Sequence, residues 1–244
     1  MHNVAANRLL PARWYVPANL GTAATLLGLA LVSGVGLDEL GLSPSALVPG
    51  LAAGIAGGLL VVGVMVLAAA TPARRLLADG RMVGVGARGT AYRCLVRIPC
   101  GTVVLEEVAF RGVLLALVER STSTGVAVGV SSLLFGLWHV LPTLPTLDAN
   151  GLARSGRARV VAVAGAVLFT ALVGVVFCWL RYRTGSLGAS ALVHVAANSG
   201  ATVAAFLVLR SQRAELCDSD PPADELNYFF ASDDPGSPLD DLLR

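Results

Sequence analysis

Two adjacent carboxylates, Glu106 and Glu107, sit inside an otherwise apolar run with Arg111 close behind, in the stretch Leu105-Glu106-Glu107-Val108-Ala109-Phe110-Arg111-Gly112. Glu107 and Arg111 are four residues apart in the acid-before-base order, so they can pair along a helix and offset each other's charge. Successive helical residues point about 100° apart, so Glu106 and Glu107 cannot do the same job on one face. Glu106 has no local partner. A carboxylate without a counter-charge in a low-dielectric setting holds its proton more tightly, which suits a general base that takes a proton from water. A purely structural ion pair would explain Glu107 and Arg111 but not Glu106.

The chain has three histidines, and apart from His2 both lie in apolar runs: His139 in Phe135-Gly136-Leu137-Trp138-His139, and His194 in His194-Val195-Ala196-Ala197-Asn198. A lone histidine in an apolar helix is more often a hydrogen-bonded core residue than a ligand, but two, with no others buried, point to a site. Asn198 falls one turn after His194, and Phe135 one turn before His139, so two helices each present a coherent stripe. A glutamate, two histidines and an asparagine could hold a water, stabilise an oxyanion or bind a metal. The four cysteines, Cys94, Cys100, Cys178 and Cys217, show no metal-type spacing and read as core filling.

The elements that must carry these residues are membrane helices. Of 244 residues, 55% are apolar and 14% charged, with a mean hydropathy of +0.71, too little charge to coat a soluble globule. Six segments have the roughly 20 apolar residues that cross a bilayer: 15–36, 46–70, 94–118, 124–145, 160–180 and 186–209. The fold class is an all-α polytopic bundle of about six spans. The basic, apolar start lacks a small-x-small cleavage site and reads as a retained first span. Gly50, Gly54, Gly57 and Gly58 in the second span suit close helix packing.

Arginine supplies every basic residue, since the sequence has no lysine; the bias suggests a G+C-rich bacterial gene. Residues 1–210 hold 16 Arg against 7 acids, and 211–244 hold 2 Arg against 9 acids and four prolines. The acidic end reads as a disordered tail. Three regions follow: 1–93, a pair of transmembrane helices and an Arg-rich loop; 94–210, the chemical core; and 211–244, the tail. Arg8 and Arg13 before the first span, and Arg74, Arg75, Arg81 and Arg88 in the second loop, place both termini in the cytoplasm of a bacterial plasma membrane, although Arg181 and Arg183 run against this. His194 lies about 8 residues into its span and His139 about 15 into its own, a depth difference of roughly 10 Å. Tilt, shifted boundaries or a break at Pro142 must close that gap.

These residues resemble those of the CAAX-protease and bacteriocin-processing (CPBP) family of intramembrane endopeptidases, related to the type II CAAX prenyl endopeptidases. The resemblance covers about 94–205. The family pattern E-E-x-x-x-R, F-x-x-x-H and H-x-x-x-N is matched in order by Glu106, Glu107 and Arg111, by Phe135 and His139, and by His194 and Asn198, with Phe110-Arg111-Gly112 and Arg183-Thr184-Gly185-Ser186 around them. The resemblance implies hydrolysis of peptide bonds within the bilayer. Glu106 would activate water, His139 would position it or bind a metal, His194 with Asn198 would stabilise the oxyanion, and Glu107 and Arg111 would support. It leaves open both a divalent metal such as zinc and a metal-independent glutamate mechanism; no H-E-x-x-H is present. The six spans are fewer than the eight of eukaryotic relatives, which counts against prenylated substrates. Expected partners are membrane lipid, a protein or peptide substrate and a protein partner for the acidic tail, with no nucleic acid. The competing readings are a non-enzymatic immunity or scaffold protein, and a haem-binding or ion-translocating bundle using His139, His194 or Glu106.

Overall fold

The computed structural model describes residues 10–153 and 155–218. It is a bundle of helices: α1 (Tyr15–Val32), α2 (Leu47–Ala69), α3 (87–119, from Ala87–Tyr92 through Leu115–Glu119 without a break), α4 (Thr124–Trp138), α5 (Val140–Ala149), α6 (Gly156–Thr184) and α7 (Leu187–Asp218). Among the described residues the extended pairing is one isolated bridge, Leu42 to Ser186. Polarity is inverted relative to a water-soluble protein. Leu59, Leu60, Val66 and Phe169 are exposed on the helix flanks, while Asn19, Glu106, Glu107, Arg111, Ser131, Ser190 and His194 are buried. That is the distribution expected where lipid is the solvent, because charged and polar side chains in a membrane face the bundle interior.

All six segments predicted as spans are helical. Five helical stretches are long and apolar enough to cross a membrane: Ala12–Val32, Pro44–Ala69, Thr124–Ala149, Gly156–Thr184 and Leu187–Glu215. The segment 94–118 is not among them, because Arg97, Glu106, Glu107 and Arg111 interrupt its apolarity. It packs instead against α1, α4 and α7, so its charges meet protein. The last helix also runs further than its apolar pattern, to Asp218, which moves the start of the acidic tail past 211. Residues 219–244, and with them most of that tail, lie outside the described residues, as do Arg8 and His2.

The α2–α7 contact is the most extensive in the bundle. Its cause is the glycine row: a Cβ on Gly54 would stand 2.8 Å from Leu192 Cβ, and one on Gly57 2.7 Å from Val193 Cγ2. Small residues here let the two backbones approach. The connection between α1 and α2 is pinned at Gly41, whose φ of +74° no L side chain adopts readily and whose missing Cβ leaves room for the Arg181 side chain. Arg181 Nη2 donates to the carbonyls of Asp38 at 2.9 Å and Glu39 at 2.8 Å.

Two irregularities shape the interior. In α3, Arg93–Val103 and Glu107–Leu114 are wound as π-helix, a winding frequent at functional sites. Pro99 lies in the first of these and has no N–H. The carbonyl five residues before it, that of Cys94, accepts from Ser199 Oγ at 3.2 Å instead. The second irregularity is the end of α4 at Trp138, with His139 between α4 and α5. Pro142 explains it: its ring cannot donate to, and clashes with, the carbonyl four residues earlier, that of Trp138.

Candidate active site

The centre of the site is a buried row of ionisable side chains. Arg111 is 0% and Glu107 2% exposed. Arg111 Nη1 donates to Glu107 Oε1 at 3.3 Å, the pairing expected from their spacing. Arg111 lies against two aromatic rings: its guanidinium carbon is 3.8 Å from the ring centroid of Phe135 and 5.0 Å from that of Phe177. Such faces attract a desolvated cation by about 2 kcal/mol or more. The same Glu107 Oε1 accepts from His194 Nδ1 at 2.9 Å.

His194 then reaches the other carboxylate. Its Nε2 lies 3.6 Å from Glu106 Oε2. Two glutamates that point in different directions from α3 therefore meet two different nitrogens of one imidazole carried by α7. Because a carboxylate only accepts, the contact with Glu107 puts a proton on Nδ1 and turns Nε2 towards Glu106. Phe135 and Phe177 pack against the His194 ring, with centroids 5.8 and 5.1 Å away.

Glu106 is without a partner only along its own helix. Trp138 Nε1 donates to Glu106 Oε1 at 2.9 Å, while Oε2 makes no hydrogen bond among the described residues. Trp138 is the residue that the reading of the sequence missed. Nothing in its type or spacing distinguishes it from a core aromatic, and only the break after α4 aims its indole at α3.

His139 sits at that break. Its Nδ1 lies 2.8 Å from the carbonyl oxygen of Phe135, to which it donates, leaving Nε2 free to accept. Glu106, Trp138, His139 and Asn198 line one cavity of about 670 Å³, together with Tyr15, Asn19, Thr102, Thr143 and Thr202. The break puts His139 on the cavity that Glu106 faces, and the His139 and His194 rings both pack on Phe135, with centroids 4.6 and 5.8 Å away. His194, Glu107 and Arg111 stand behind the wall, with His194 between Glu106 and the aromatic core. Among the described residues no three His, Cys, Asp or Glu side chains converge as a metal-binding set.

The far end of the cavity is made by the loop after α2. Asp79, Arg81 and Met82 line it, and the loop is tied to the end of α5 by Gly80 N–H donating to Asn150 Oδ1 at 2.9 Å. Burial pushes the Asp79 carboxyl up, but hydrogen bonds from Arg81 outweigh this and hold it below its ordinary value.

Residues 89–200, which contain all six candidate residues, match the family model for Rce1-like proteins, described as type II CAAX prenyl endopeptidases. The match supports the resemblance to CAAX proteases drawn from the motifs, and the matched family is a protease family. No curated protein and no solved structure matches the chain.

Proposed function

We propose, from that family match and the geometry of α3, α4 and α7, that the protein is an intramembrane endopeptidase acting on a membrane-associated protein or peptide. The observation that carries the reading is Glu106: a buried carboxylate on a polar cavity, one oxygen held by Trp138 and the other unbonded and 3.6 Å from His194. In this reading Glu106 takes a proton from a water held in the cavity as the water oxygen bonds to the scissile carbonyl carbon. The carbonyl π electrons move to its oxygen. Glu106 then returns the proton to the amide nitrogen as the C–N bond breaks.

Asn198, whose amide lines the cavity one turn along α7 from His194, donates to the oxyanion. Glu107 fixes the Nδ1 proton of His194 and so turns its Nε2 towards Glu106, 3.6 Å away, from behind the cavity wall. His139 accepts a hydrogen bond from the water through Nε2. Glu107 and Arg111 act through His194 and hold it in place. The chemical core corresponds to 94–210, the pair of helices before it forms the opposite wall through α1, and both termini face the cytoplasm.

The test compares new protein termini in host membranes carrying the wild type or Glu106→Gln at matched, folded levels. Termini that appear only with the wild type establish peptidase activity and name its substrate. Coincident profiles in a host that contains the natural membrane proteins reject it in favour of a partner-binding role.

A further inference from the structure

The cavity carries charge that the proposed hydrolysis does not use. Arg93 and Arg97 line it, with Arg97 nine residues before Glu106 on α3, roughly 13 Å along the helix. Arg97 stacks on the ring of Tyr15 at 4.4 Å, and Arg93 Nη1 donates to the Arg81 carbonyl at 3.5 Å. Among the described residues neither is paired with a carboxylate. Arg81, beside them, is neutralised by Asp79 at 2.6 Å. Two like charges four residues apart on one helix repel. Both are half-buried and line the cavity. An anion entering the mouth would relieve that repulsion where screening by water is weak.

The chain carries such an anion directly after α7 in sequence. Residues 219–244 hold seven acids and one arginine. Glu215, in the last turns of α7, lies 3.4 Å from Arg74, in the loop that also supplies Asp79 and Arg81. Thr202 lines the cavity, and the sixteen residues from there to Asp218 rise about 24 Å. An extended chain gains about 3.3 Å per residue, so eight residues are enough to return. We propose that the acidic stretch 219–244 binds in cis on Arg93 and Arg97 at the cavity mouth, as an occupant that an incoming peptide must displace. The proposal rests on the reading of the cavity as a substrate site only for that last clause.

The lack of lysine provides the test. In the full-length protein in zwitterionic nanodiscs, Arg97→Lys or Arg93→Lys keeps the charge and installs the one side-chain amine in the chain. A water-soluble carbodiimide, which joins amines to carboxylates in direct contact, is applied, and the linked peptides are identified by mass spectrometry. Arg88→Lys, exposed on the same helix, is the background control. The expected result is links from positions 93 and 97 to acids within 219–244, several-fold above the control and reduced by high salt. Mixing isotopically light and heavy protein shows whether a link is within one chain. Links confined to Asp79, links between chains, links at the control level, or links abolished by anionic lipid each overturn the proposal; the last would assign the site to a headgroup. None of these outcomes depends on peptidase activity, so this proposal and that reading fail separately.

Discussion

Trp138 Nε1 donates to Glu106 Oε1 at 2.9 Å, tying the end of α4 to the middle of α3 across 32 positions of sequence. The bond leaves the other carboxylate oxygen turned towards His194. Trp138→Phe keeps the ring and removes the donor. A hydrogen bond to a charged group is worth about 1.5–3 kcal/mol, so kcat should fall by about 10- to 100-fold with KM little changed. Steady-state cleavage of the substrate found by terminal profiling checks this. With only three tryptophans in the chain, the indole N–H resonance lost in Trp138→Phe should also be the one that moves in Glu106→Gln.

Glu106 and Arg111 should separate activity from stability. Glu106→Gln preserves an acceptor for Trp138 and removes a charge, so hydrolysis should be lost while stability stays within about 1 kcal/mol of wild type. Arg111→Met leaves the buried Glu107 without its guanidinium partner and should destabilise by about 3–5 kcal/mol. Thermal unfolding in detergent, run beside the cleavage assay, distinguishes the two.

Glu39 reports on the opposite side of the bundle. Hydrogen bonds from Arg120 and from the Gly36 N–H hold its carboxyl down at about 2, against 4.5 for the free group. A depressed acid stabilises the fold above its unfolded value and loses that contribution as pH falls through its folded value. The difference in stability between wild type and Glu39→Gln should therefore be constant above pH 4.5 and shrink towards pH 2. It should be small, because the pair is exposed. A difference that grows on acidification would contradict the assignment.

Gly54→Val tests the α2–α7 contact. The added Cβ would meet Leu192 at 2.8 Å, and overpacking of this kind costs about 1–3 kcal/mol. Gly63→Val, whose Cβ would meet nothing within 4 Å, should leave the unfolding temperature unchanged.

The helices were legible because lipid exposure demands apolar runs, and such runs are visible residue by residue in α2, α4, α6 and α7. The stretch from Glu106 to Arg111 was legible for the opposite reason, as charges where none are tolerated without cause. The pairing of Glu107 with Arg111 followed from spacing alone. What spacing could not show was contact between helices: that His194 would meet both glutamates, or that Trp138 would supply a donor to Glu106. Those depend on how α3, α4 and α7 rotate against one another. The position of His139 was half legible, since Pro142 announced a break, but the break falls at the residue whose carbonyl the proline cannot serve. The extension of α7 to Asp218 was hidden because polar residues after Arg210 end the apolar pattern without ending the helix.

The composition of α3 also bears on how the protein is made. A helix with Arg97, Glu106, Glu107 and Arg111 faces an insertion cost on the order of 10 kcal/mol if released alone into lipid. Its main polar partner, His194, is synthesised some ninety residues later. During translation α3 must therefore be held by the insertion machinery, or shielded by α1, until α7 emerges. Among the described helices α7 is the last to be made, and it is the one that brings His194 to the two glutamates of α3.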